Sequence, residues 1–178
     1  LVKLEHSDSV MPTATHLDRK LKTLTGMEAI AQYIDENSDR IVELTPEIIA
    51  KTTLVTNNAS SDDPHSSAET ETSNVYGQPW IDRGMPGRLF RGVKRLLGNP
   101  SIKRLLVFDH PFRLVALITP ILLRIRKCIE SELNEPLRNI HLGHPVKFEG
   151  YENRLAFDRL SEACGHAGIH QLSFYPEP

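Results

Sequence analysis

Residues 138–178 read RNIHLGHPVKFEGYENRLAFDRLSEACGHAGIHQLSFYPEP, and the spacing of apolar residues along them changes twice. Arg138 to Gly143 alternates, with Ile140 and Leu142 on one face, and Pro145 ends the run because it cannot continue a strand ladder. From Glu152 to Ala167 the apolar positions Ala156, Leu160, Ala163, Cys164 and Ala167 fall at helical spacing. Gly168 follows where a helix C-cap favours a residue free to take positive φ. Gln171 to Tyr175 alternates again through Leu172 and Phe174. Strand, helix and strand of this length predict a right-handed βαβ unit with parallel strands. Such sheets take ligands at the carboxyl ends of their strands. Here those ends carry Gly143, His144 and Pro145, and Pro176, Glu177 and Pro178.

Working back from that unit, Leu114 to Leu133 is the longest predicted helix, with a stripe through Leu117, Ile118, Ile121, Leu122, Ile125, Cys128, Ile129 and Leu133. Pro120 interrupts the pattern, so the helix either kinks there or begins there with Thr119 as its cap. Ile102 to Phe108 reads as an apolar strand. Gly87 to Gly98 places Leu89, Phe90, Val93, Leu96 and Leu97 on one helical face and Arg88, Arg91, Lys94 and Arg95 on the other, predicting an amphipathic helix with a solvated basic face. No aromatic residues interleave the basic ones as a stacking platform would require, and nucleic acid is not an expected partner.

Residues 56–74 are almost all Ser, Thr, Asn, Asp, Glu, Ala, Pro or His, too polar to offset the entropy of ordering, and read as a disordered insertion. Thr45, Pro46 and Glu47 have the composition of a helix start. Met27, Ala29, Ile30, Tyr33 and Ile34 repeat at helical spacing after Gly26, and Leu1–Glu5, Val10–Leu17 and Leu21–Leu24 are short strand candidates.

Composition excludes several classes. The chain is 39% hydrophobic and 25% charged with a net charge of -2, which signals neither a nucleic-acid binder nor an acidic tail. No signal peptide or long apolar run directs it to a membrane. Cys128 and Cys164 sit on apolar helical positions, as small buried hydrophobes rather than a disulfide, and a reducing, cytoplasmic location is expected. The pairs His141/His144 and His166/His170 lack a third ligand of matching spacing, so no metal site is expected. Asp82 to Gly84 reads as a turn rather than a phosphate loop. Leu1 and Pro178 both read as cuts in a longer protein.

Several collinear stretches resemble the nucleotide-binding domain of the seventy-kilodalton heat-shock chaperones, actin-like ATPases. Leu89, Phe90 and Val93 to Gly98 are similar to the family's Leu-Phe-x-Ile-Lys-Arg-Leu-Ile-Gly. Leu133 to Leu142, then His144 to Phe148, resembles Leu-Gly-Glu-Pro, strand, Val-Pro-Ala-Tyr-Phe. Ala163, Ala167, Gly168, Glu177 and Pro178 look like the helix ending in Ala-Gly and the Asn-Glu-Pro. Val10 to Thr13 resembles an early Thr-Thr-Pro-Ser strand.

The resemblance implies an α/β fold: a partial actin-like, ribonuclease-H-like lobe with a mixed sheet, a C-terminal parallel βαβ unit and an added helical and small-sheet subdomain. Residues 1–55 and 75–135 would be mainly the outer subdomain, and 136–178 the βαβ part of the inner one. It implies that Lys94 reaches the γ-phosphate and the attacking water, a cation placed where charge is redistributed in phosphoryl transfer. Glu177 would hold Mg²⁺ through water, and Pro145 would relay nucleotide state. ATP and Mg²⁺ are implied for the intact parent, with client polypeptides and co-chaperones as partners. The sequence departs from the pattern by one residue added between Phe90 and Lys94, by Tyr175-Pro176 before the glutamate, and by a longer loop after Phe148, which leaves Arg154 and Arg159 as alternatives for the arginine coupled to Pro145. These features look more like a divergent, chaperone-like branch. Both phosphate-binding hairpins, Asp-x-Gly-Thr and Asp-x-Gly-Gly-Gly-Thr, are absent from the sequence. The chain alone is therefore expected to bind no ATP and to lack turnover, whether its parent is an ATPase or, as the alternative, a non-catalytic protein-interaction module derived from such a lobe.

Overall fold

The computed structural model describes residues 2–5, 9–56, 69–144, 146, 148 and 152–177, with the backbone alone for 46–56 and 69–81. Pro145 and Pro178 lie outside the described residues. The chain divides into two compact units, Leu1–Ser38 with Pro86–Pro178, and Asp39–Met85.

In the larger unit, β1 (Ala14–Asp18) is the centre of a three-stranded antiparallel sheet, flanked by β2 (Thr23–Thr25) and β5 (Gly87–Arg91). Helix α1 (Gly26–Asn37) follows β2 directly. Thr15 and His16 are buried on β1 because both find partners: Thr15 Oγ1 donates to the Leu117 carbonyl at 2.8 Å, and His16 Nε2 lies 2.8 Å from Glu36 Oε2. Gly87 opens β5 against that imidazole, where a Cβ would stand 2.0 Å from His16 Nε2.

The amphipathic helix expected over Gly87–Gly98 is corrected: its first half is strand β5, and only Val93–Gly98 turns, as a 3₁₀ helix. Gly92 takes φ +66° between them, a left-handed residue that ends the strand and starts the turn. Strand alternation sends Arg88 and Arg91 to opposite faces, so the basic helical face does not form. The expected strand over Ile102–Phe108 is shorter, β6 (Leu105–Val107), and pairs with β7 (His110–Phe112) as a hairpin.

Helix α2 spans Leu114–Leu133 and carries Pro120 in its interior rather than starting there, and Thr119 Oγ1 donates to the Val115 carbonyl at 2.9 Å. Its first half is the core, with Leu114, Leu117, Ile118, Ile121 and Leu122 buried. The expected stripe fades towards the C-terminal end, where Leu133 is exposed. The βαβ unit forms as the alternation predicts. Strand β8 (Asn139–His144) and strand β9 (Gln171–Pro176) pair in parallel, with Ile140 opposite Leu172 and Leu142 opposite Phe174, and α3 (Asn153–His166) joins them. Ala156, Leu160, Ala163 and Cys164 on α3 join Leu97, Val107 and Leu117 in one apolar cluster. Gly168 has φ +79°, as a residue ending a helix should. The product is a mixed α/β arrangement of small sheets and helices.

The smaller unit is a long hairpin, β3 (Leu44–Thr56) and β4 (Glu69–Asp82), antiparallel. The helix start expected at Thr45-Pro46-Glu47 is corrected to strand. Ile48, Ile49, Thr52, Thr53 and Val55 favour an extended backbone, and Pro46 is accommodated at a register shift between Pro46 and Glu47. Residues 57–68 of the expected insertion lie outside the described residues, whereas 69–74 run as strand. Asp82 accepts from the Gly84 N–H at 3.0 Å and pairs with Arg40, so Asp82–Gly84 is a turn. Among the described residues no helix is long and apolar enough to cross a membrane.

Candidate functional site

The carboxyl end of β9 hands the chain to Glu177. Its backbone N–H donates to the His144 carbonyl at 2.7 Å, extending the β8–β9 ladder by one bond and fixing where the side chain leaves the sheet. Across that edge, the Gly143 position leaves room for the Glu177 side chain: a Cβ there would lie 3.0 Å from Oε1 and 3.1 Å from Cγ. A side chain here would crowd Glu177, which would have to shift by a few tenths of an ångström to admit it.

Lys94 arrives from a different element. Gly92 turns the chain, Val93 and Leu97 bury into the core, and Lys94 is held between them on the first residues of the 3₁₀ helix. Lys94 Nζ donates to Glu177 Oε1, so two residues separated by 83 positions meet in one ion pair. The side chains are 30% and 43% exposed, which makes the pair responsive to solvent and worth about 0–1 kcal/mol. The pairing therefore positions two opposite charges at a sheet edge more than it stabilises the fold.

Arg159 fixes the far end of that turn. From α3 its Nη1 donates to the carbonyls of Leu97 at 2.8 Å and Asn99 at 3.0 Å, and its Nη2 to Ile102 at 2.9 Å. These carbonyls have no helical continuation to satisfy them. Arg154, the other arginine weighed for coupling to Pro145, is exposed. His144 closes the strand end with its ring 4.8 Å from Phe157 and 6.1 Å from Phe148, and Phe174 completes the aromatic group. Sequence reading singled out Lys94 and Glu177, which the structure brings together. It left open Arg159, whose role depends on carbonyls 57 to 62 residues away, and it did not find the aromatic packing of His144.

For a nucleotide and its metal the arrangement is incomplete. Among the described residues no group of three or more His, Cys, Asp and Glu could hold a metal ion. Among the described residues, the Lys94 ammonium and the Glu177 carboxylate at this edge neutralise one another. A phosphate chain needs a cradle of backbone N–H groups as well, and the sequence contains neither glycine-rich hairpin that would supply it. Among the described residues of this edge, Lys94 and Glu177 are the charged pair that the resemblance would assign to phosphate and metal-bound water.

No family model matches the sequence. Over 57 residues it is 39% identical to the protein of Arabidopsis thaliana named Heat shock 70 kDa protein 8. The similar stretch is 32% of this chain and spans 9% of that relative's length.

Proposed function

We propose that this chain is a piece of the nucleotide-binding lobe of a heat-shock-70-like molecular chaperone, an actin-like fold that in the intact parent binds and hydrolyses ATP with Mg²⁺. The observation that carries the reading is the meeting of Lys94 and Glu177 at the end of the parallel pair β8–β9. Both residues were picked from separate sequence motifs, and they belong to elements that share no local reason to meet. The stretch of similarity to a 70 kDa heat-shock protein supports the same origin. In the parent, Lys94 would supply positive charge beside the transferred phosphoryl group and Glu177 would hold metal-bound water, with Pro145 as the relay. ATP supplies the phosphoanhydride, and the missing phosphate hairpins belong to the rest of the parent. Clients and co-chaperones would be engaged by the intact protein in the cytoplasm.

The test is Lys94→Ala in the intact parent. Single-turnover ATP hydrolysis should fall at least about tenfold, roughly 1.4 kcal/mol or more in barrier, with nucleotide binding largely kept. Unchanged hydrolysis removes Lys94 from this role. A second reading, a protein-interaction module that never hydrolyses ATP, draws on the mutual neutralisation of Lys94 and Glu177. Titration of ATP·Mg²⁺ into the chain should show no heat of binding under either reading, so the parent's turnover separates them.

A further inference from the structure

In the larger unit, α1, the segment around Val10–Pro12 and α2 line a half-open pocket of about 520 Å³, within the size range of sites for small organic ligands. Val10, Pro12, Met27 and Ala31 form its apolar wall, while Glu5, Glu28 and Arg124 supply the charges. None of them belongs to the Lys94–Glu177 site.

Glu5 is the unusual member. It is only 7% exposed, and its two oxygens are treated differently. Oε1 accepts from the Met27 N–H at 2.8 Å and lies 3.5 Å from Arg124 Nη2, the arrangement expected of an acid at a helix N-terminus. Oε2 is buried with no hydrogen-bond partner, and helix capping gives no reason for it. The backbone is shaped around this carboxylate: Gly26 has φ +68°, and a Cβ there would fall 1.8 Å from Oε1. Buried carboxylates are ordinarily fully hydrogen-bonded. A half-satisfied one in the wall of a cavity points to a donor that arrives from outside.

Charge narrows the class of donor. Two carboxylates face one guanidinium, and Arg124 is committed to the Thr25 carbonyl at 2.7 Å and to Glu28 Oε2 at 3.1 Å. Among the described lining residues one negative charge is left over. A ligand carrying a single positive charge, N–H donors and an apolar body balances it, whereas an anion is repelled. We propose that this cavity binds a small organic ammonium compound, its head group on Glu5 and Glu28 and its apolar part against Val10, Pro12, Met27 and Ala31.

The experiment is isothermal titration of the whole 178-residue chain with three probes of similar size: phenethylamine, 3-phenylpropanol and 3-phenylpropionate. Saturable one-site binding is expected for the amine, at least about tenfold weaker binding for the alcohol, and none for the acid. Glu5→Gln should lose the preference for the amine over the alcohol. Because Glu5 also caps α1, a second variant guards against misfolding: Ala31→Trp, at an exposed position of the wall, should fill the cavity and abolish binding with the circular dichroism spectrum unchanged. Amine binding no tighter than that of the alcohol or acid, or undiminished amine binding by folded Ala31→Trp, overturns the proposal.

Discussion

Replacing Arg159 by Met keeps the length of the side chain and its apolar stem but removes the guanidinium that gathers the carbonyls of Leu97, Asn99 and Ile102 at 2.8, 3.0 and 2.9 Å. A hydrogen bond from a charged donor contributes about 1.5–3 kcal/mol, and of the three acceptors the Asn99 carbonyl keeps a second bond, from the Ile102 N–H at 3.3 Å. The three bonds share one half-buried group, and losses at residues in one network do not add. The expected loss is therefore about 2–4 kcal/mol rather than the sum. With a urea dependence of about 2 kcal/mol per molar, the middle of the range for small proteins, the unfolding midpoint should fall by roughly 1–2 M. Helices α1, α2 and α3 all belong to the larger unit, so far-UV circular dichroism follows the right part of the chain, whereas the single tryptophan, Trp80, lies on β4 in the other unit. Arg159→Lys should fall between wild type and Met, because a compact ammonium cannot reach carbonyls spread from Leu97 to Ile102 as a planar fork does. Exposed Arg154→Met is the control and should stay within about 0.5 kcal/mol. An Arg159→Met midpoint equal to that of the control would refute the claim that α3 holds the Lys94 turn in place.

Two further outcomes follow from single side chains. Burial pushes the Cys164 thiol up to about 11, so at about pH 8 iodoacetamide should modify the half-buried Cys128 well before Cys164 in the folded chain, read by mass spectrometry of peptides; equal labelling would contradict the packing of α3. The Arg113 guanidinium donates to both oxygens of Glu162 at 2.5 and 2.6 Å and, with His166, holds that carboxyl below its ordinary 4.5. A folded-state pKa below the unfolded one adds stability above about pH 4.5 that disappears as pH falls through the lower folded value. Urea midpoints between about pH 6 and about pH 3 should therefore fall less steeply in Arg113→Gln than in wild type, and parallel slopes would remove the pair from acid unfolding.

Periodicity resolved the elements whose partners lie nearby in the sequence. Strands β8 and β9 and helix α3 announce themselves because each buries one face against the other two, so the alternation and the helical spacing are both dictated within forty residues. Helix α2 was legible in extent for a related reason, a long apolar stripe, although Pro120 left its start open between Leu114 and Pro120 until the structure placed the proline inside the helix. Its lower half was over-read, since apolar spacing records which face could be buried and not whether anything packs there; Leu133 is apolar, correctly spaced and exposed. The hairpin β3–β4 was missed as a whole: Pro46 is favourable at the first turn of a helix and equally tolerable at a strand irregularity, residues 69–74 of β4 fell in a stretch read as disordered for its polarity, and only the pairing of the two strands decides.

Residues 87–98 show why a site is harder to read than a fold. Leu89, Phe90, Val93 and Leu97 satisfy a helical stripe, yet Leu89 and Phe90 belong to a strand register against His16 and Thr15, while Val93 and Leu97 belong to a turn. The ambiguity is broken by β1, seventy residues upstream, and by Gly92, whose freedom to take positive φ lets strand and turn meet without strain. Lys94 owes its position to that junction. On the continuous helix that spacing predicts, it would share a face with Arg88, Arg91 and Arg95 and attract anions as part of a diffuse patch. On the observed turn it leaves the strand that carries Arg88 and Arg91 and pairs with Glu177. The placement of Lys94 therefore rests on one glycine and on a strand pairing that local spacing does not encode.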